Sequence, residues 1–479
     1  MMALVIGIII VLLIIAIWYK ENNKVIIVDN RIKGLYFDNN ATTIPPPVVV
    51  DAIKQWIGSG NPSGDTPAKL MIADAHRIMK EHIFVDDRNL VSAVSELNNP
   101  HHYRCELVDQ SKFPFHASEA DNWDVIFTSG ATESNSLAIR SAIENYRAQT
   151  FIKPHIIASS IEHKSIIDLL KHLENKNVCE YTLIDPNIYG QIDAVDIIDA
   201  MQHNTILVTV MWANNEIGTI NDILGIANAC RTRGVMFHTD ATQIFGKYHL
   251  PIRQPIDAVS ISFHKLYGPP GVGALIVHKR MKISSQNAGS QESGLRGGTE
   301  NVPGIAGAMA ALDYNFYMRR YKNDHVARLR QRIVNGLSEV YPIVPYDVQF
   351  AVRSADDMYP MELVILGGFG RDNIPNLPNT LALSFTGHTD KPFCNIKLKQ
   401  ALALENIHIS IGSACNTSKV GPSHVLMGIM TPPEVACGTI RISIGDNTTD
   451  ADVDKLIEAL LRNVKAQIES SDTTCPLVF

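Results

Sequence analysis

The stretch Ala258-Val-Ser-Ile-Ser-Phe-His-Lys-Leu-Tyr-Gly-Pro-Pro-Gly271 decides how the rest of the chain is read. It is a short β-branched run that ends abruptly in Ser262, His264 and Lys265, followed by a glycine and proline turn, so Lys265 is expected at the carboxyl end of a strand. A lysine held rigidly and partly desolvated there gives up its proton more readily, and can form a Schiff base with an aldehyde cofactor such as pyridoxal phosphate. Taken alone, Ser-x-His-Lys also fits an ordinary solvated loop lysine. The motifs on both sides distinguish the two.

Upstream, strand and helix patterns alternate: strands at 155–158, 206–210 and 235–238, with helices at 164–173 and 221–231 between them. This alternation predicts an α/β fold with a mainly parallel sheet covered on both faces and with sites at the carboxyl ends of its strands. The polar clusters fall at those ends. Glu162-His163-Lys164 follows one strand, Trp212 to Gly218 with Asn215 the next, and Thr239-Asp240-Ala-Thr-Gln243 the third, while Lys265 follows the fourth. Each is explicable as a cap or turn, but four at successive strand ends argue for one pocket. Before them, a buried strand at 125–127 runs into Thr128-Ser-Gly-Ala-Thr-Glu-Ser-Asn-Ser136 and a helix. The free N–H groups and positive dipole end at Gly130, Ala131 and Thr132 suit a phosphate; a capped helix start is the alternative.

The chain has 479 residues, 46% of them hydrophobic, with a net charge of −7. That length supports two or more domains, and the charge offers no basic surface for nucleic acid. Seven cysteines, at 105, 179, 230, 394, 415, 437 and 475, form no CxxC pair, so neither a zinc site nor a disulfide framework is expected. Residues 1–18 are an unbroken apolar run, about 27 Å long as a helix, without a signal-peptide cleavage pattern. With the lysines that follow, this predicts a transmembrane anchor over 1–20, a single-pass membrane protein and a cytoplasmic catalytic body; a buried N-terminal arm is the alternative. Residues 35–320 read as a large domain with a surface insertion at about 86–124, and 321–479 as a smaller α+β domain. His101, His102 and Cys105 in the insertion match no metal-ligand spacing. A helix is expected at 68–82, a long one at 304–337, and a strand at 379–385.

An aldehyde cofactor used as an electron sink needs a Schiff-base lysine, a phosphate cradle and a carboxylate at the pyridine nitrogen. Lys265, Gly130 to Thr132, and Asp240 supply them, and Arg441 is a fork for an amino-acid carboxylate. Together with FDNNATT, FTSGATESN, EHKS, NNEIG, HTDATQ, HKLYGP, RGGTEN, GSAC and TIRIS in this order, the chain resembles the NifS-like cysteine desulfurases, which use pyridoxal 5'-phosphate on the class V aminotransferase fold (fold type I). The resemblance covers roughly 35–461. It implies Lys265 as the Schiff-base lysine, His163 stacked on the cofactor ring, Asp240 at the ring nitrogen and Gln243 at the phenolic oxygen. It further implies phosphate contacts from Ala131, Thr132, Ser262 and His264, with Thr299 supplied by the other subunit of a homodimer. Asn215 and Arg441 would take the substrate carboxylate.

Cys415 matches the family's loop cysteine, which takes sulfur from L-cysteine as a persulfide, releases L-alanine and hands the sulfur to a protein acceptor in iron-sulfur or thiolation pathways. Read without its GSAC context, it would be one buried thiol among seven. Phe263 departs from the family, which has a small residue between the serine and histidine. A selenocysteine lyase, or another lyase of the same fold, is the alternative enzyme; a membrane-tethered scaffold without catalysis is the alternative of another class.

Overall fold

Strands buried on both faces read as near-continuous apolar runs, and buried strands of this kind, with one half-buried edge strand, build the seven-stranded central sheet. They are β1 (Trp123–Thr128), β2 (His155–Ser159), β3 (Glu180–Ile184), β4 (Thr205–Thr209), β5 (Met236–Asp240), β6 (Ala258–Ser262) and β7 (Gly273–His278). The computed structural model describes residues 34–84, 117–346, 361–386, 393–412 and 422–470. The strand order is β1-β7-β6-β5-β4-β2-β3, and only β7 runs antiparallel to its neighbours. Consecutive side chains leave a strand on opposite faces. Val125 and Phe127 accordingly enter a core with Met79, Ile223 and Ile305, while Ile126 enters the opposite one with Leu137, Ile139 and Leu170. The edge strand β3 is only half-buried and its sequence, EYTLI, is too polar to be noticed from periodicity. The sheet also claims Trp123 and Asp124, so the expected insertion ends earlier than 124; residues 85–116 lie outside the described residues.

A second sheet has the order β11-β10-β9-β8, from β8 (Ile343–Pro345), β9 (Glu362–Ile365), β10 (Thr380–Thr386) and β11 (Thr439–Ser443). Its core sets Leu363, Leu381, Leu383, Phe385 and Ile442 against the helices Asn395–Leu404 and Asp450–Glu469. The helix Val302–Ser338, about 55 Å long, passes from one core to the other. Ile305, Ala308 and Leu312 pack with the central sheet, and Val326, Leu329, Ile333 and Leu337 with the second. Near the start of the described chain, Leu35–Tyr36 pairs in parallel with Ile407–His408, Asp38 bridges to Ser443, and Phe37 is buried in the second core. The described residues from Leu35 onward form one compact unit.

No helix among the described residues is long and apolar enough to cross a membrane. Val302–Ser338 has the length, but Arg319, Arg320, Lys322, Arg328, Arg330 and Arg332 interrupt it. On this finding the transmembrane part of the expected fold, and the single-pass membrane localisation with it, are corrected: the described fold is an α/β body without a spanning helix. The run at 1–20 that prompted them lies outside the described residues.

Candidate active site

The parallel strands aim their carboxyl ends at a cavity of about 730 Å³, a size suited to a cofactor and a small substrate. Lys265 reaches it from the 3₁₀ turn Phe263–Lys265 directly after β6. Its Nζ donates to the peptide carbonyls of Asn40 (2.6 Å) and Ala41 (2.7 Å). Burial first, then the positive charges of Arg441 and Lys247, bring its ammonium down to about 7 against the opposing pull of Asp38 and Asp240. Phe263, the family departure, is wholly buried in the central core, so its bulk is taken up away from the cavity.

Asp240 ends β5 with Oδ2 accepting from Asn135 Nδ2 (2.8 Å) and Oδ1 from the Thr242 amide (3.0 Å). The same Asn135 amide donates to Ser165 Oγ (3.0 Å), and Ser165 meets His163 Nδ1 through both its hydroxyl (2.9 Å) and its amide (3.2 Å). The amide donates to Nδ1, which leaves the ring proton of a neutral His163 on Nε2. Burial holds this imidazole below its usual pKa, Asp240 pulls it back up, and Lys265 and His424 push it further down. His163 nevertheless opens onto the cavity, where its ring is exposed. Gln243 donates Nε2 to the Asn40 carbonyl (3.0 Å), and its buried Oε1 has no hydrogen-bond partner.

The helix Ala131–Arg147 begins at the cavity wall with Gly130 as its N-cap, at φ +155°. The amides of Ala131 and Thr132 fall in the first turn, where a helix offers them no carbonyl. β7 crosses so close that a Cβ on Gly273 would lie 2.5 Å from the Gly130 Cα, and glycine at 273 is what permits this approach. Ser262 and His264 complete this side; His264 Nδ1 lies 3.1 Å from Thr42 Oγ1, and burial, then Lys265 and His163, bring its pKa down to about 4.

Arg441, on β11, donates Nη1 to the Asn215 carbonyl (2.9 Å) and Nη2 to Asp38 Oδ1. The structure thus gathers Ala131, Thr132, His163, Asn215, Asp240, Gln243, Ser262, His264, Lys265 and Arg441 on one cavity. It does not bring Thr299 there; that residue is exposed and absent from the wall. Cys415 lies outside the described residues, although Gly412, three positions before it, lines the cavity. Sequence reasoning gave no role to Asp38, Asn135, Ser165 and Lys399. The first three lie inside quoted motifs, whereas Lys399 lies in a helix with no motif to mark it. Among the other cysteines, burial pushes Cys179 up to about 11 and Cys230 up to about 12, which leaves them inert. No group of three or more metal-ligating side chains occurs among the described residues.

A lysine with a lowered pKa at a strand end, a helix N-terminus facing it, and an aspartate at the next strand end define an α/β enzyme built for a phosphorylated aldehyde cofactor. The aminotransferase class-V family model matches residues 115–355. The chain is 34% identical over 349 residues to cysteine desulfurase IscS of Pectobacterium atrosepticum, covering 72% of this chain and 78% of that one. It is 35% identical over 349 residues to cysteine desulfurase IscS of Escherichia coli, with the same coverage. Among solved structures, a NifS-like protein superposes with a TM-score of 0.67 at 26% identity, covering 91% of this chain and 100% of that one. SspA in complex with cysteine does so with a TM-score of 0.59 at 28% identity, covering 87% and 100%. The chain belongs to the class-V aminotransferase family, and its cofactor is pyridoxal 5'-phosphate.

Proposed function

We infer that this protein is a cysteine desulfurase, converting L-cysteine to L-alanine and passing the sulfur through a persulfide to a protein acceptor. The observation that carries the reading is the convergence of Lys265, Asp240, His163 and the Ala131–Arg147 N-terminus on a cavity whose wall continues to Gly412. The residues fit the cofactor: Gln243 Oε1 is a buried acceptor without a partner, and the first-turn amides of Ala131 and Thr132 are free for a phosphate. In our reading, Ala131, Thr132, Ser262 and His264 hold the phosphate, Asp240 the ring nitrogen and Gln243 the phenolic oxygen. When bound, the cofactor supplies an electron sink for the carbanion formed at the substrate Cα.

The chain's own groups do the rest. Arg441 and Asn215 hold the substrate carboxylate. Lys265 Nζ takes the α-proton, which its low pKa equips it to do near neutrality. His163, held by Ser165 at Nδ1, presents its Nε2–H to the substrate sulfur as a hydrogen-bond donor. Cys415 thiolate then forms an S–S bond to the substrate sulfur as the Cβ–S bond breaks; the electron pair stays with the carbon, which is protonated and leaves as alanine. Thr299, exposed in one chain, is assigned to the site of a second subunit in a homodimer. We also propose a division near residue 320, where Val302–Ser338 changes from one core to the other.

The test is to incubate the purified protein with L-cysteine and assay alanine and persulfide together, with Cys415→Ser beside it. Both products are expected from the wild type. The variant should still change the cofactor spectrum on adding cysteine yet make neither product, since a hydroxyl is a far poorer nucleophile toward sulfur. Alanine at the wild-type rate from the variant would refute the persulfide mechanism and favour a lyase that releases sulfur directly.

A further inference from the structure

Arg441 is 6% exposed, and its three nitrogens are in three different situations. Nη1 donates to the Asn215 carbonyl at 2.9 Å. Nη2 donates to a single oxygen of Asp38. Nε is buried without a partner. A guanidinium is planar and can donate two parallel hydrogen bonds to one carboxylate. Each Nη carries a second N–H beyond the one already used, and Arg441 lines the cavity, so the guanidinium keeps donors for a ligand carboxylate there.

Asp38 is placed to set the orientation of this guanidinium. It forms a parallel bridge with Ser443, and the Asn39 amide donates to the Ser443 carbonyl (3.2 Å), so the backbone fixes Asp38 against β11. Arg441 lies two residues before Ser443 on that strand and therefore projects from the same face. Asp38 also lines the cavity, but its single bonded oxygen occupies only part of what Nη2 offers.

We propose that Asp38 is a positioning residue that holds the Arg441 guanidinium so that its remaining donors receive the carboxylate of the amino-acid substrate. The proposal rests on the assignment of Arg441 to that carboxylate. It makes Asp38 a determinant of substrate affinity that acts through Arg441, and touches neither the sulfur nor the α-carbon.

The experiment uses the full-length holoenzyme and compares wild type with Asp38→Asn, which keeps the side chain's shape and removes its charge. Two probes separate the ends of the substrate: 3-mercaptopropionate has the thiol and carboxylate without the amine, and cysteamine has the thiol and amine without the carboxylate. Asp38→Asn is expected to raise KM for L-cysteine and weaken inhibition by 3-mercaptopropionate by roughly tenfold, the scale of one charged hydrogen bond. Inhibition by cysteamine should change by less than about threefold. In an Arg441→Gln background, adding Asp38→Asn should leave 3-mercaptopropionate affinity unchanged, because the group it acts through is gone.

An unchanged or lower KM for cysteine would overturn the proposal, the lower value meaning that Asp38 competes with substrate. Equal weakening of both probes, or additive effects in the double variant, would overturn it too. If Asp38→Asn does not fold, Asp38→Glu is read instead: its longer arm should displace the guanidinium and weaken 3-mercaptopropionate selectively, and wild-type affinity would count against the proposal. Failure of the desulfurase reading is separable, because wild-type protein would then make no alanine while probe binding remained measurable through the cofactor's absorbance.

Discussion

The capture of pyridoxal phosphate by the cofactor-free protein should depend on pH in a way that reports the Lys265 environment. Only the neutral amine attacks an aldehyde. Burial and the neighbouring charges of Arg441 and Lys247 bring Lys265 down to about 7, so half of the amine is neutral there. At pH 8 about nine-tenths is neutral, against roughly three in a thousand for an ordinary lysine, which places the expected advantage at about 300-fold. The sign follows from the direction of the shift: acidification through the folded pKa protonates the amine and slows capture, whereas raising the pH above it gives a plateau. The assay follows growth of the cofactor's absorbance after mixing at a series of pH values, with a free alkylamine as reference. The protein should reach half its plateau rate near pH 7, while the reference continues to rise. Lys247→Met removes one of the neighbouring charges and should move the midpoint upward. A midpoint above about 9, the range of solvated lysines, would refute the reasoning that burial and neighbouring charge tune this amine.

Lys265→Ala should abolish alanine production and the yellow absorbance of the bound cofactor. Persistence of that colour, with borohydride reduction attaching the cofactor to another lysine, would show that the assignment is wrong. Gly273→Ala should weaken cofactor binding at least tenfold, because its Cβ would meet the Gly130 backbone at 2.5 Å and push the Ala131–Arg147 N-terminus out of place. A spectroscopic titration with pyridoxal phosphate reads this loss, and unchanged affinity would mean that the helix N-terminus is not the phosphate site.

The sequence by itself determined several strands of the central sheet and most of the residues that meet at its edge. Successive strand–helix units place their carboxyl ends on one side, so Asp240, Lys265 and the polar clusters after the other strands belong to one pocket by their order along the chain alone. The half-exposed edge strand Glu180–Ile184 escaped because its residues carry no uninterrupted apolar run. Tertiary structure alone decided the contacts between distant segments. Arg441 meets Asp38 across 403 residues of chain, and Asn135 joins Asp240 to Ser165 from a helix more than a hundred residues before that aspartate. Local pattern reports which face of an element is apolar, but a hydrogen bond between side chains on different elements depends on how those elements pack. The lowered pKa of Lys265 has the same origin: the sequence shows that a lysine ends the strand, while its burial and the charges facing it come from segments that only the folded chain brings near.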